Sequence, residues 1–243
     1  MTQGIYIIKN NVTIAKDIFE MVLEGDTSAI TAPGQFINIK IEGLYLRRPI
    51  SICDWNENTI TILYKTVGEG TYRLSEMAPG GELDILVGLG NGFDPAACGE
   101  KPLLVGGGIG TPPMYGLCKK LLAMGKKPSV ILGFASACDV VYEEKFKALG
   151  VEVRIATADG SYGVKGFVTH ALDGLDYDYF YACGPIPMLH ALCDATSTSG
   201  EVSFEERMGC GFGACMGCTC KTKYGNKRIC RDGPVLKKEE VIW

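Results

Sequence analysis

The chain has 243 residues, which is long enough for more than one domain. Its formal net charge of −4 gives no reason to expect binding to nucleic acid, and no apolar run is long enough to cross a bilayer. No basic region followed by an apolar segment opens the chain, so no secretory signal is evident. Eleven cysteines, an odd number, argue against a disulfide framework, and we expect a cytoplasmic protein in a reducing compartment.

Residues 1–98 are predicted to form an antiparallel β-barrel. Short segments that alternate in polarity or are rich in β-branched residues are separated by turns such as Pro33-Gly34. Strands are predicted within Gly4–Lys16, Asp17–Gly25, Gln35–Ile41, Ser51–Cys53, Asn58–Lys65 and Glu82–Val87, and a helix over Tyr72–Met77. Several short strands at regular spacing favour a small barrel.

Two stretches of the predicted barrel suit a ligand that carries phosphate. In Arg47-Arg48-Pro49-Ile50-Ser51 a guanidinium supplies paired donors and a hydroxyl adds another. In Gly68-Glu69-Gly70-Thr71 a glycine-rich turn leads into the predicted helix, and a helix N-terminus attracts anions. Both also have an ordinary interpretation, the first as a solvated strand end and the second as a loop with Thr71 as the helix N-cap.

Residues 99–198 are predicted to form a Rossmann-like α/β domain. Strands are predicted at Leu103–Val105, Ser129–Phe134, Val151–Ala156 and Tyr179–Ala182, and they alternate with helices at Met114–Met124, at Val140–Leu149 and after Pro185. A repeated strand–helix order predicts a parallel sheet with crossover connections.

The glycine loop Gly106–Gly110 follows the first of these strands, where a nucleotide phosphate binds in such sheets. It departs from the G-x-G-x-x-G pattern, because a pattern begun at Gly106 ends on Thr111. The loop is therefore a variant phosphate loop or only a tight turn. Ala135–Asp139, after the next strand, has no Arg or Lys to hold a 2′-phosphate, which favours NADH over NADPH. No catalytic side chain is assigned.

Residues 199–243 are predicted to form a small domain that holds an iron–sulfur cluster. Four residues separate Cys210 from Cys215, two separate Cys215 from Cys218, and eleven separate Cys218 from Cys230. This is the plant-type [2Fe–2S] spacing, in which a tight loop supplies three thiolates and a separate segment supplies the fourth. Cys220 is interpreted as a non-ligand, because its use would break the spacing.

A structural zinc site is the main alternative for these cysteines. Zinc sites usually pair two short knuckles, whereas only Cys215 and Cys218 form one here. The surrounding segment is also basic, which indicates a docking patch, compensation of cluster charge or an ordinary solvated surface; the residues are Arg207, Lys221, Lys223, Lys227, Arg228 and Arg231.

Taken together, these motifs resemble the ferredoxin reductase superfamily. Over nearly its whole length the chain is similar to the electron-transfer subunits of class 1B dihydroorotate dehydrogenases. The similarity rests on Leu46–Ile52, Gly88–Phe93, Asp159–Gly163, Glu206–Gly211 and Cys230–Val235. One departure is Thr111, with Met114 and Tyr115, in the helix after the glycine loop, where that family is more often aliphatic. Related NADH–ferredoxin oxidoreductase subunits also have a Thr there.

The resemblance implies three cofactor sites. FAD would be held by Arg48, Pro49, Ile50, Ser51, Leu63, Tyr64, Lys65, Gly70 and Thr71. NAD(H) would be held by Gly106, Gly107, Gly108, Ile109, Gly110, Cys183, Gly184, Pro185 and Met188. The [2Fe–2S] cluster would be held by Cys210, Cys215, Cys218 and Cys230.

The resemblance also implies an activity and a partner. Electrons would pass between NAD(H), FAD, the cluster and an FMN-containing dihydroorotate dehydrogenase subunit, in a heterotetramer of two copies of each chain that converts dihydroorotate to orotate in pyrimidine biosynthesis. Two alternatives stay open. One is the flavin and iron–sulfur subunit of an NADH-dependent ferredoxin:NADP or sulfide oxidoreductase, and the other is a zinc-stapled binding module without enzymatic activity.

Overall fold

The first third of the chain closes into a six-stranded antiparallel barrel, in a computed structural model that describes residues 1–243. The strands are β1 (Thr2–Ala15), β2 (Ile18–Glu24), β3 (Phe36–Ile39), β4 (Arg48–Trp55), β5 (Thr59–Lys65) and β6 (Glu82–Leu89), joined in the order β1-β2-β5-β4-β3-β6. Alternate residues such as Ile37, Ile39 and Ile62 fill the interior, as expected for strands with one face inward. The predicted barrel is confirmed.

Helix α1 (Glu69–Ser75) starts three residues earlier than predicted. Gly68, not Thr71, is the N-cap, with an extended backbone at φ −168°. The Thr71 hydroxyl lies inside the first turn and accepts hydrogen bonds from the backbone N–H of Val67 (2.9 Å) and Gly68 (3.2 Å). The prediction of Thr71 as the N-cap is therefore wrong, because this hydroxyl binds donors that precede the helix and not those of its first turn.

The rest of the chain is organised by one seven-stranded sheet, which confirms the predicted Rossmann-like fold. The elements are β7 (Pro102–Gly107), α2 (Thr111–Ala123), β8 (Ser129–Phe134), α3 (Glu143–Ala148), β9 (Glu152–Thr157), β10 (Val164–Lys165), β11 (Tyr179–Cys183), α4 (Ile186–Ala195), β12 (Gly200–Ser203), β13 (Thr219–Thr222), β14 (Gly225–Arg228), α5 (Ile229–Asp232) and β15 (Val235–Lys237). The sheet order is β10-β9-β8-β7-β11-β12-β15, and only β15 is antiparallel to its neighbour.

Strands β12 and β15 continue the sheet beyond residue 198, and Val202 pairs with Leu236. The segment that contains the four predicted cluster cysteines is inserted between them. Within it, β13 and β14 form a two-stranded hairpin, and α5 returns the chain to the sheet. Ile229 and Cys230 are buried in the same apolar core as Leu236. The division of the chain into domains at residues 98 and 198 stays a prediction.

Helix α3 is shorter than the predicted Val140–Leu149 because Tyr142, just before its first turn, has a left-handed backbone (φ 66°). The Tyr142 hydroxyl donates a hydrogen bond to Glu20 on β2 (2.5 Å), and Lys145 forms an ion pair with the same carboxylate (2.5 Å). These contacts join the barrel to the sheet region.

Helix α2 packs directly on barrel strand β4 at a glycine. A Cβ on Gly116 would lie 2.6 Å from the Cys53 carbonyl oxygen, so the absence of a side chain permits this close approach. Lys119, one turn further along α2, forms an ion pair with Asp54 at 2.6 Å. None of the helices has the length and apolar character of a membrane span.

Candidate functional site

A cavity of about 570 Å³ lies between the barrel, the sheet and residues 203–208. Eight of the nine residues predicted to hold FAD line it, namely Arg48, Pro49, Ile50, Ser51, Leu63, Tyr64, Lys65 and Thr71. Gly70 lies behind Arg48, where a Cβ would overlap the guanidinium. The barrel residues singled out from the sequence therefore converge on one space that has the size of a cofactor site.

The barrel wall of this cavity combines cations and hydroxyls with apolar surface. The Arg48 guanidinium donates to the Leu46 carbonyl, and Lys65 lies 3.8 Å from Asp139. Tyr64 donates to the Asn11 side chain (2.8 Å), and burial raises the pKa of this phenol to about 12. Arg and Lys side chains suit a pyrophosphate, and apolar walls suit a ring system. The donor set thus fits FAD.

Several cavity residues come from a stretch that the sequence analysis did not assign to FAD. The wall opposite the barrel consists of Ser203, Phe204, Glu205, Glu206, Arg207, Met208 and Pro234, whereas Phe36 and Val67 extend the barrel wall. Residues 203–208 follow the carboxyl end of β12, which is the usual ligand-binding edge of such a sheet. The position of residues 203–208 after β12 predicts that they line the cavity, but only once the pairing of β12 with β11 is known.

The structure divides the predicted NAD(H) residues between two cavities. Ile109 and Cys183 line the first cavity, beside the barrel residues. Gly107, Gly108, Pro185 and Met188 line a second cavity of about 540 Å³. The remaining three predicted residues line neither cavity; they are Gly106, Gly110 and Gly184. They are packed against backbone, and a Cβ on Gly110 would overlap the Cys183 carbonyl.

The second cavity opens at the carboxyl ends of β7, β8 and β9. Residues that the sequence analysis did not select complete its lining: Gly133, Phe134, Ala135, Ala158, Gly166, Phe167, Val168, Thr169, Pro187 and Ala191. Ligands of open α/β sheets bind at this edge. The loop after β7 turns between the two cavities, so a dinucleotide extended along it would reach from the second cavity toward the first.

The predicted cluster cysteines form two pairs. In the first pair the backbone N–H of Cys210 points to the Cys215 sulfur (3.4 Å), and the N–H groups of Ala214 and Cys215 point to the Cys210 sulfur (3.2 and 3.4 Å). Burial opposes ionisation of the Cys210 thiol, but donors from Cys215, Phe212 and Ala214 outweigh it and lower the pKa to about 6. Such donors stabilise thiolate ligands.

The second pair is Cys218 and Cys230, both buried. The Cys230 N–H points to the Cys218 sulfur at 3.4 Å. Burial, a hydrogen bond with Cys218 and repulsion by its charge raise the pKa of Cys230 to about 12. A bound metal reverses this effect, because a coordinating thiol is deprotonated. No three Cys, His, Asp or Glu side chains converge on a point that a single metal ion could occupy. Two separate pairs match a cluster with two irons better than one zinc ion.

Three of the basic residues of this segment are engaged inside it. Lys223 donates to the Glu239 carbonyl (2.8 Å). Lys227 forms an ion pair with Glu240 (2.5 Å), and Arg228 binds Asp232 (3.2 Å) and the Gly213 carbonyl (2.9 Å). The contact with Gly213 holds the loop between the first two cysteines. Arg228 therefore supports the cysteine loop, and these internal contacts leave fewer of the basic side chains available for the predicted docking patch.

The barrel, the parallel sheet and the paired cysteines define a reductase of the ferredoxin reductase class that carries an iron–sulfur cluster. A solved structure of the NADH-dependent reduced ferredoxin–NADP oxidoreductase superposes with a TM-score of 0.89 and 29% identity, over 99% of this chain and 90% of that chain. The ferredoxin reductase of carbazole 1,9a-dioxygenase has the same fold, with a TM-score of 0.69, 23% identity and coverage of 79% and 64%.

Closer relatives identify the family. Residues 205–242 match the iron–sulfur cluster binding domain of dihydroorotate dehydrogenase B. The electron transfer subunit of dihydroorotate dehydrogenase B (NAD(+)) from Shouchella clausii is 46% identical over 99% of this chain and 98% of its own length. The same subunit from Bacillus mycoides is 46% identical over 97% of both chains. The chain belongs to this family of dihydroorotate dehydrogenase B electron transfer subunits.

Proposed function

We propose that the chain passes electrons between NAD(H) and a dihydroorotate dehydrogenase catalytic subunit through FAD and a [2Fe–2S] cluster. This proposal rests on which parts of the chain line the first cavity. Barrel residues, Ile109 of the glycine loop and Met208, two residues before the first cluster cysteine, all line it. A flavin there would stand between the dinucleotide site and the cluster.

The proposed roles of the residues follow from their positions. Arg48, Ser51, Lys65 and Thr71 supply the polar side of the FAD site, and Pro49, Ile50, Leu63 and Tyr64 form its wall, with Gly70 leaving room for the Arg48 side chain. Gly106–Gly110 and Cys183–Met188 place NAD(H). Burial raises the pKa of Cys183 to about 12, so this thiol packs and does not act as a nucleophile.

We propose that each cysteine pair holds one iron, the first pair being Cys210 with Cys215 and the second Cys218 with Cys230. Backbone N–H groups aimed at the sulfurs stabilise the thiolates. Bound FAD supplies the conversion between hydride transfer from NADH and the one-electron chemistry of the cluster. The chain itself would orient both groups, since residues 204–208 line the first cavity and lead directly to the loop that begins at Cys210.

The partner is proposed to be an FMN-containing dihydroorotate dehydrogenase subunit, in a heterotetramer with two copies of each chain. The two cofactor-sized cavities of this chain are assigned to FAD and to NAD(H), so oxidation of dihydroorotate is assigned to the partner. Native mass spectrometry of the co-expressed chains should give two of each subunit and one FMN per partner chain. Co-purification with a ferredoxin:NADP oxidoreductase subunit instead would favour the alternative that the 29% identical structure represents.

The decisive experiment is a visible spectrum of the anaerobically purified chain, with metal analysis, before and after addition of NADH. We expect flavin and iron–sulfur absorbance that bleaches with NADH, and iron without zinc. A colourless protein that contains zinc would overturn the assignment and favour a structural module. Conversion of dihydroorotate to orotate by the isolated chain would contradict the assignment of that step to the partner.

A further inference from the structure

Strand β3 presents one buried polar side chain on the outer face of the barrel. Ile37 and Ile39 point into the barrel core, whereas Phe36 and Asn38 point outward. Phe36 lines the first cavity. Asn38 is only 1% exposed, because the cysteine segment covers it.

The side chain of Asn38 contacts the first cysteine of the cluster loop. Its Nδ2 donates a hydrogen bond to the Cys210 carbonyl oxygen at 3.2 Å. The next residue, Gly211, has φ +79° and packs so closely on Nδ2 that a Cβ would overlap it. Asn38 therefore restrains the backbone of the loop at the residue whose sulfur forms half of the first cysteine pair.

Asn38 is itself held rigidly. Its backbone pairs with Pro49 on β4 and with Leu86 on β6. Arg47 donates to the Asn38 carbonyl (3.3 Å) and also to the Asp84 carbonyl (2.8 Å). The side chain thus projects from a closed barrel, and positions built on rigid elements hold functional groups more accurately than loops do.

The same side chain is unfavourable for folding alone. Its Oδ1 is buried without any hydrogen-bond partner, and an unpaired buried acceptor destabilises a fold. A leucine would fill a similar volume without this cost. The one hydrogen bond that the side chain makes is directed at the cluster loop, which indicates a role there.

We infer that Asn38 is a positioning residue that fixes the cluster loop relative to the flavin cavity. Phe36 and Asn38 are two residues apart on one strand, so their side chains stand about 7 Å apart. One strand therefore sets the separation between a wall of the flavin cavity and the Cys210 backbone. This inference rests on the proposed function, in which the four cysteines hold the cluster.

The test uses the full-length chain with Asn38→Leu and Asn38→Asp. The Leu variant removes the donor, and the Asp variant places an acceptor opposite the Cys210 carbonyl. We expect altered g values and broader lines in the electron paramagnetic resonance spectrum of the reduced cluster. Reduction of the cluster by NADH should slow by roughly 10-fold, as for partners of metal ligands. Flavin content and flavin reduction by NADH should stay at the wild-type level.

Thr27→Val is the matched control. It also removes a buried donor to backbone carbonyls, those of Asn56 (2.7 Å) and Glu57 (3.0 Å), in a barrel loop away from the cysteines. It should leave the cluster spectrum unchanged. Wild-type spectra in both Asn38 variants would overturn the inference. A wild-type chain without iron would instead overturn the proposed function, so the two failures are distinguishable.

Discussion

Cys215 is the most exposed of the four cysteines assigned to the cluster, and it is the residue at which that assignment is best tested. In a Cys215→Ser variant we expect iron content to fall to near zero and electron delivery to be lost, because serine is a poor ligand for this soft site. Flavin reduction by NADH should persist, because no residue from 209 to 233 lines the first cavity. Iron analysis and stopped-flow absorbance measure both effects.

Cys220→Ser is the control for that variant. Cys220 lies in strand β13, paired with Lys227, and burial raises the pKa of its thiol. Full retention of iron would agree with its interpretation as a non-ligand. Loss of iron from this variant, with retention in Cys215→Ser, would contradict the ligand assignment.

Glu201 gives the fold a pH dependence that is separate from the cofactor chemistry. The residue is 5% exposed on β12, and its carboxylate accepts a hydrogen bond from the Asp94 N–H (2.9 Å). Burial and the charge of Asp94 raise the pKa of Glu201, the Asp94 N–H and Lys237 oppose the shift, and the resulting pKa is about 7. The folded state therefore holds a proton that the unfolded state has released between about pH 4.5 and pH 7.

Stability should consequently fall as the pH rises through this window, since the folded state binds more protons than the unfolded state there. At about 1.4 kcal/mol per unit of pKa, the loss is on the order of 2 to 3 kcal/mol. Denaturant unfolding at pH 5 and pH 8 should show this loss in wild type and a smaller one in Glu201→Gln. The exposed Glu57→Gln is the control, and equal slopes for all three chains would refute the assignment.

At the scale of elements, the contact between α2 and β4 sets how closely the sheet approaches the barrel. Gly-to-Ala in a helix normally stabilises by about 1 kcal/mol. Gly116→Ala should instead destabilise, because its Cβ would meet the Cys53 carbonyl. Gly116→Val should also weaken FAD binding by widening the first cavity. Ala123→Val, at the exposed end of α2, is the control in a flavin titration. Unchanged affinity in Gly116→Val would contradict this role.

The elements also show how far the sequence determines the fold. Strand β8 has the predicted bounds, because Ser129–Phe134 is a short apolar run with clear ends. The helix before Leu149 was predicted too long, because the left-handed turn at Tyr142 depends on a contact with Glu20 in the barrel. Local patterns carry no information about such a distant partner.

Local sequence patterns likewise predict only part of the candidate site. The spacing of the cysteines and the Arg48–Ser51 motif could be found from local patterns. The contribution of residues 203–208 to the cavity could not, because it depends on the pairing of β12 with β11. The division of the glycine loop between two cavities likewise depends on tertiary packing, in which Ile109 turns toward the barrel and Gly107 toward Met188.

For the whole molecule, we expect removal of iron to lower protection from hydrogen exchange in one region only. Residues 208–217 form no strand or helix, whereas Cys218, Ile229 and Cys230 belong to the core beneath the sheet. After chelation we expect fast hydrogen exchange in residues 208–217 and unchanged protection in β7, β8 and β11. Mass spectrometry of exchanged peptides measures this. Global loss of protection would indicate that the metal is required for the entire fold, as in zinc-dependent modules.

The cysteine segment is inserted between two adjacent antiparallel strands and can therefore be removed from the fold as a unit. The end of β12 and the start of β15 are hydrogen-bonded neighbours, with Ser203 opposite Val235, so the segment leaves and re-enters the fold at points about 5 Å apart. A segment inserted between neighbouring strand ends can be replaced by a short turn without a change in the path of the rest of the chain. A chain in which a glycine turn replaces residues 207–232 should fold as an iron-free NADH–flavin reductase of lower stability, because Ile229 and Cys230 are removed from the core beneath the sheet. Its flavin binding should be weaker, because Arg207 and Met208 no longer close the cavity.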